Sequence, residues 1–149
     1  MKYFAHFVLL TLMISCGKAE KEQQASTVAA AIPESGHETF IYTEGDSTYV
    51  MQKYFMVFLK KGPERDQDSL TAATIQEAHL AHLQQLYLDG KTCITGPFES
   101  DGDVLGVVVF NTPTLNEADS LANSDPAVRA GRLVVETHAW WAAKGSVLK

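Results

Sequence analysis

The chain has little sulfur: Cys16 and Cys93 are its only cysteines in 149 residues. Two cysteines cannot build a disulfide framework, and no CxxC or other thiolate cluster offers a zinc site. Positive charge is scarce too, with twelve Lys and Arg against eighteen Asp and Glu, a net −6. The one adjacent basic pair, Lys60-Lys61, is followed by Glu64, Asp66 and Asp68. Such a chain repels phosphate backbones, so nucleic acid is not an expected partner. No apolar run reaches the ~20 residues that a membrane-crossing helix needs. The glycines form neither GxGxxG nor a P-loop, and no serine sits in a GxSxG setting, so nucleotide binding and serine-hydrolase chemistry have no support. No metal or other cofactor is called for. What is present is ordinary for a globular protein, 46% apolar and 20% charged residues, enough for one modest domain and an appendage.

The appendage comes first. Residues 1–15 carry Lys2 and then an apolar run from Phe7 to Ile14, the length of a secretory h-region. The segment ends Leu12-Met13-Ile14-Ser15-Cys16-Gly17, which resembles the lipobox of bacterial lipoproteins, with Met13 where Leu is more usual. The resemblance implies that Cys16 is lipidated and becomes the new N-terminus. Lys18 to Ile32 is rich in Ala, Gln, Glu, Lys, Ser and Thr and cannot bury enough surface to offset its ordering entropy. Pro33, Gly36 and Gly45 extend this character, so residues 16–46 are expected to be a flexible polar linker, with His37 doing nothing specific. The expected location is the bacterial cell envelope, with the domain tethered to a membrane by lipid alone.

From Thr48 the composition changes, and residues 47–142 read as a compact domain with a tail at 143–149. Tyr49 to Leu59 is aromatic and β-favouring, a long strand. Asp68 or Ser69 caps a helix from about Leu70 to Leu88, which Asp89-Gly90 ends. Lys91 to Phe98 and Val104 to Asn111 are strands joined by a turn at Glu99–Asp103. Thr114 caps a second helix over about Leu115 to Ala122, with Glu117 as capping-box partner. Arg132 to Trp141 is the last strand. Strand, helix, strand, strand, helix, strand is the split βαβ order of a ferredoxin-like α+β fold. Val104 to Phe110 is apolar on both faces, so the face without helices needs cover, and a homodimer packed sheet to sheet supplies it.

In the first helix, Ala72, Ile75, Leu83 and Leu86 cluster on one side and His79 falls among them, with His82 at the margin. A His on an apolar face is either a satisfied core residue or a proton-transfer group whose partner fixes its tautomer. Several carboxylates are available, and spacing alone does not choose between them. Asp125 is attractive because Pro126 holds the backbone before it extended at the end of the second helix. A metal held by His79, His82 and Asp125 is a minority reading. Cys93 reads as a buried small apolar strand residue, and Trp140 and Trp141 fall on opposite sheet faces.

Glu77-Ala78-His79-Leu80-Ala81-His82-Leu83, Gly90-Lys91, Thr95-Gly96-Pro97-Phe98, Gly106-Val107-Val108-Val109-Phe110, Glu117-Ala118 and Asp125-Pro126-Ala127-Val128-Arg129-Ala130-Gly131 together resemble the YCII-related domain. The similarity runs from about Tyr54 to Trp141. It implies a dimeric α+β barrel and an active site made of the helical His and the Asp of the Asp-Pro element, here His79 and Asp125. Many members have Arg three residues before the His, where this chain has Gln76, which puts a substrate-anion contact in doubt. His138-Ala139-Trp140-Trp141 stands where His-Pro-Trp-Trp is common. Most members have no assigned reaction, and a few relatives act on aromatic-ring degradation products. The expectation is a cofactor-independent isomerase, lyase or dehalogenase for a small organic molecule. His79 and Asp125 would be catalytic, and Gly96, Pro97, Phe98, His82 and Trp140 would bind substrate. The alternatives are a non-catalytic small-molecule-binding or structural envelope lipoprotein, and an interaction module using its outer surface.

Overall fold

A computed structural model describes residues 36–99 and 102–149. The expected signal segment, Cys16 and the expected linker up to residue 35 lie outside the described residues. The central strand is β2, Ser47–Lys61, long because aromatic and β-branched residues run almost unbroken along it. Its alternation sends Phe55, Val57 and Leu59 to one face, where all three are buried. β5 (Leu133–Ala143) pairs with one edge of β2 and β4 (Val104–Phe110) with the other, and β3 (Thr92–Pro97) lies outside β4. All pairings are antiparallel, and the spatial order β5-β2-β4-β3 is that of a ferredoxin-like sheet.

The helices α1 (Ser69–Leu88), α2 (Leu115–Asn123) and α3 (Pro126–Arg129) cover the face that carries Phe55, Val57, Val108 and Phe110. α1 begins where the Asp68 carboxylate accepts from the Leu70 and Thr71 amides and the Thr71 hydroxyl. It turns Leu86 and His79 inward, with Ile75 and Leu83 packed against the same core. α2 begins at Thr114, whose hydroxyl accepts from the Glu117 amide. The Glu117 carboxylate pairs with Lys91 Nζ at 2.8 Å, so α2 is held to the start of β3. Thr137 donates to Asp119 at 2.5 Å and joins α2 to β5.

The structure corrects the extent of the polar linker. Thr39–Glu44 is a strand, β1, laddered antiparallel to Ser47–Gln52 from Thr39↔Gln52 to Glu44↔Ser47. Gly45-Asp46 makes the turn, with Gly45 at φ +57° and Asp46 not positive, the pattern of a type II′ hairpin. His37, expected to be idle, is buried just before β1, and its Nδ1 has no hydrogen-bond partner. Burial, helped by the Lys144 charge, pushes this imidazole below its usual range. Cys93 is also corrected. The β3–β4 register slips between Thr92 and Ile94, and the thiol at the bulge is exposed. Trp140 and Trp141 do take opposite faces: Trp141 packs edge-on to Phe40 at 4.9 Å on the helix side, and Trp140 lies beside Tyr54 on the other. Among the described residues, no helix is long and apolar enough to cross a membrane.

Candidate active site

His79 sits three turns into α1 on the side that meets the core, because the apolar periodicity of Ile75, Leu83 and Leu86 turns it there. Asp125 follows α2 directly and is the N-cap of α3. Pro126 keeps it extended, at φ −57° and ψ 130°, and the carboxylate swings toward α1 instead of continuing a helix. The two side chains meet through His79 Nδ1 and Asp125 Oδ2 at 2.7 Å, both almost fully buried. The other carboxylate oxygen, Oδ1, accepts from the Ala127 amide at 2.7 Å.

This arrangement determines the tautomer. An ionised carboxylate only accepts, so the proton between the two groups belongs to Nδ1. Nε2 then carries a lone pair, and among the described residues no protein group bonds it. His79 lines a cavity of about 410 Å³ between α1 and the β3–β4 end of the sheet. Its walls are mostly apolar, with Leu59, Leu80, Leu83, Leu105 and Leu133, and its polar groups are His79, Gln76 and Thr95. Gly96 and Gly106 contribute wall without side chains. A buried, oriented imidazole facing a small apolar cavity can take a proton from a bound molecule and return it, with the carboxylate stabilising the imidazolium between.

Of the residues expected from sequence, the structure brings His79, Asp125, Gly96 and Pro97 to this site. Phe98, next to Pro97, is 47% exposed and is not part of the wall. His82 points elsewhere: its Nε2 lies 3.3 Å from the Leu121 carbonyl oxygen and 3.5 Å from the Ser124 hydroxyl, so it ties α1 to α2. This follows from its place at the margin of the buried stripe. Trp140 lies across the sheet, in register with Tyr54, and lines a separate cavity of about 460 Å³ partly covered by residues 145–148. His138 is on that same far face, bonded to Glu136 at 2.7 Å and edge-on to Phe58. The leucines and Thr95 of the His79 cavity were not read from sequence as site residues, Leu83 being placed only in the apolar cluster of the helix. Gln76 was marked only as a departure, standing three residues before His79 where the resemblance would put an Arg. Among the described residues, no three His, Cys, Asp or Glu side chains converge as a metal site.

The comparison with curated proteins gives no match. Among solved structures, the chain is similar to 5-chloro-2-hydroxyhydroquinone dehydrochlorinase from Burkholderia phenoliruptrix in complex with 2,5-dihydroxybenzoquinone. The two are 23% identical, the match covers 58% of this chain and 92% of that one, and the TM-score is 0.45. The profile of the YCII-related domain matches residues 54–140. That stretch begins within β2, ends within β5, and contains both members of the buried His79–Asp125 pair, and the chain belongs to the YCII-related domain family.

Proposed function

We propose that this chain is a cofactor-independent acid–base enzyme for a small organic molecule, of the isomerase, lyase or dehalogenase kind. The observation that carries the reading is the 2.7 Å contact between His79 Nδ1 and Asp125, which leaves Nε2 unbonded at an apolar cavity. In the proposed step Nε2 takes a proton from a C–H or O–H of the substrate, and the electron pair released shifts within the substrate or expels a leaving group as an anion. In an isomerisation the imidazolium returns the proton to a second atom. In an elimination it loses the proton to water. Asp125 keeps the ring oriented and offsets its transient charge.

Two measurements test this. Turnover is screened on small hydroxylated and carbonyl compounds with the full chain, His79→Gln and Asp125→Asn. Each substitution is expected to lower the rate by about a hundredfold or more, while circular dichroism stays native. Unchanged turnover in both variants sinks the His79–Asp125 reading, and a wild type that turns over none of these compounds leaves a ligand-binding lipoprotein in its place. Independently of any substrate, ¹⁵N signals of the His79 ring should show the Nδ1–H tautomer in the wild type and the Nε2–H tautomer in Asp125→Asn.

We further propose the setting in which this site works. The lipobox-like run ending at Cys16 supports a lipid anchor in the bacterial cell envelope. Cys16→Ser should move the protein from the membrane fraction to the soluble one. The apolar sheet face opposite the helices supports a homodimer, and that prediction is argued at the end of the Discussion.

A further inference from the structure

We infer that the His79 cavity takes an uncharged molecule bearing a hydroxyl or carbonyl group and rejects carboxylates, with Gln76 setting the choice. The inference rests on the reading of this cavity as the substrate site and adds the chemical class that fits it.

The charge around the cavity decides the matter. No Lys, Arg, Asp or Glu is among the described residues that line it. A carboxylate entering an apolar site loses its water and needs a cation or several donors in return. The His79–Asp125 pair cannot supply the charge. With His79 neutral the pair is −1, with His79 protonated it is zero, and in neither state is it positive. The Asp125 carboxylate, 2.7 Å behind the ring, therefore repels an anion or at best is cancelled.

The cations on neighbouring segments are engaged elsewhere. Arg132, beside the lining residue Leu133, gives Nη1 to Gln67 at 2.5 Å, and Arg65 gives Nη1 to the Arg132 carbonyl at 3.0 Å. Lys60 pairs with Glu136 and Asp103, and Lys91 with Glu117. Neither Lys61 nor Arg129 lines the cavity.

Gln76 supplies the complementary chemistry. It lies one turn before His79 on α1, so both side chains reach the same cavity. Its amide has no protein partner among the described residues and sits exposed at the mouth. An amide offers both N–H donors and a carbonyl acceptor, which suits a hydroxyl or a carbonyl equally and carries no charge for an anion. The leucine walls hold the apolar body of such a molecule, and its polar end lies between Gln76 and Nε2.

The experiment compares phenol with benzoate, similar in size and, near pH 7, neutral and anionic respectively. Dissociation constants are measured by titrating the full chain, following the His79 ring signals. The wild type should bind phenol at least about tenfold more tightly than benzoate, and Gln76→Arg, at an exposed helical position, should narrow or reverse that ratio by about tenfold or more. Benzoate binding as tightly as phenol, no binding of either probe, or a ratio unmoved by Gln76→Arg overturns the inference. Turnover of His79→Gln separates the two claims. If that variant keeps full activity, the acid–base reading fails, whereas the phenol-to-benzoate ratio is read on binding alone.

Discussion

Asp125 serves two neighbours at once: Oδ1 caps α3 through the Ala127 amide and Oδ2 accepts from His79. The two substitutions of this residue therefore separate structure from chemistry. Asp125→Ala removes the cap and leaves a buried imidazole N–H without an acceptor, a loss of about 2–4 kcal/mol. Asp125→Asn keeps a carbonyl oxygen for the Ala127 amide and presents an NH₂ to the ring, which answers by moving its proton to Nε2. Both hydrogen bonds survive, so stability stays within about 1.5 kcal/mol of wild type. The base is lost, because Nε2 is now protonated. Chemical denaturation of the two variants beside a turnover assay checks the pair: Ala unstable, Asn stable but inactive. Equal stabilities would show that the pair does not hold α3 to α1. At this scale the sequence was only half readable. His79 announces itself by falling on an apolar stripe, but its partner is 46 residues away; spacing hints at it only through the bend at Asp125-Pro126, and the family resemblance was needed to point to it. Helical spacing put His82 only at the margin of that stripe, and its packing against α2 keeps it out of the cavity.

α1 shows what a single cap does for an element. The Asp68 carboxyl is held below its usual 3.8, first by the Thr71 amide and then by the Thr71 hydroxyl. A carboxyl depressed by folding stabilises above its unfolded value, and that stability is lost as pH falls through the folded one. The cap's contribution is thus whole at neutral pH and fades below about pH 4. The gap in melting temperature between wild type and Asp68→Ala should accordingly shrink as the pH falls through that range, and a gap independent of pH would refute it. A second element-level prediction concerns the crossing where β2 ends. Gly62 donates to the Arg132 carbonyl at 2.9 Å, and a Cβ there would lie 2.1 Å from the Gly131 carbonyl oxygen. Backbone cannot step aside as a side chain does, so Gly62→Ala should cost more than about 2 kcal/mol by denaturant titration. Because Leu133 follows directly and lines the cavity, ligand binding should weaken too. Elements with strong local signals were readable, the capped α1 almost to the residue and the aromatic β2 as Tyr49 to Leu59 within Ser47–Lys61. β1 was missed because Pro33, Gly36 and Gly45 extended the irregular reading over Thr39–Glu44, and what makes it a strand is its ladder with β2.

The order of β2 to β5 followed from element order alone, since the split βαβ connection leaves few ways to lay helices on one face. What it leaves open is the other face, which residues 145–148 cover only in part, around Tyr54, Val109 and Trp140. There β2 presents Tyr54, Met56 and Phe58, β4 Val107 and Val109, β3 Ile94, and β5 His138 and Trp140. Trp140 stays 38% exposed, and Ile41 and Val50 carry the apolar surface on along the β1–β2 hairpin. A sheet face of this kind is covered well by another like it, packed at about 10 Å. The full chain should therefore sediment as a dimer. Trp140 tests the geometry because its exposure lets the protomer tolerate a change. Trp140→Glu places a charge from each copy into the dry centre of the contact and should weaken association by about thirtyfold or more, leaving the circular dichroism of the protomer native. The His79 cavity is on the other side of the sheet, so phenol binding should survive the substitution unless the second copy shapes the site. A wild type that sediments as a monomer ends the dimer proposal, and a dimer indifferent to Trp140→Glu moves the contact to another surface.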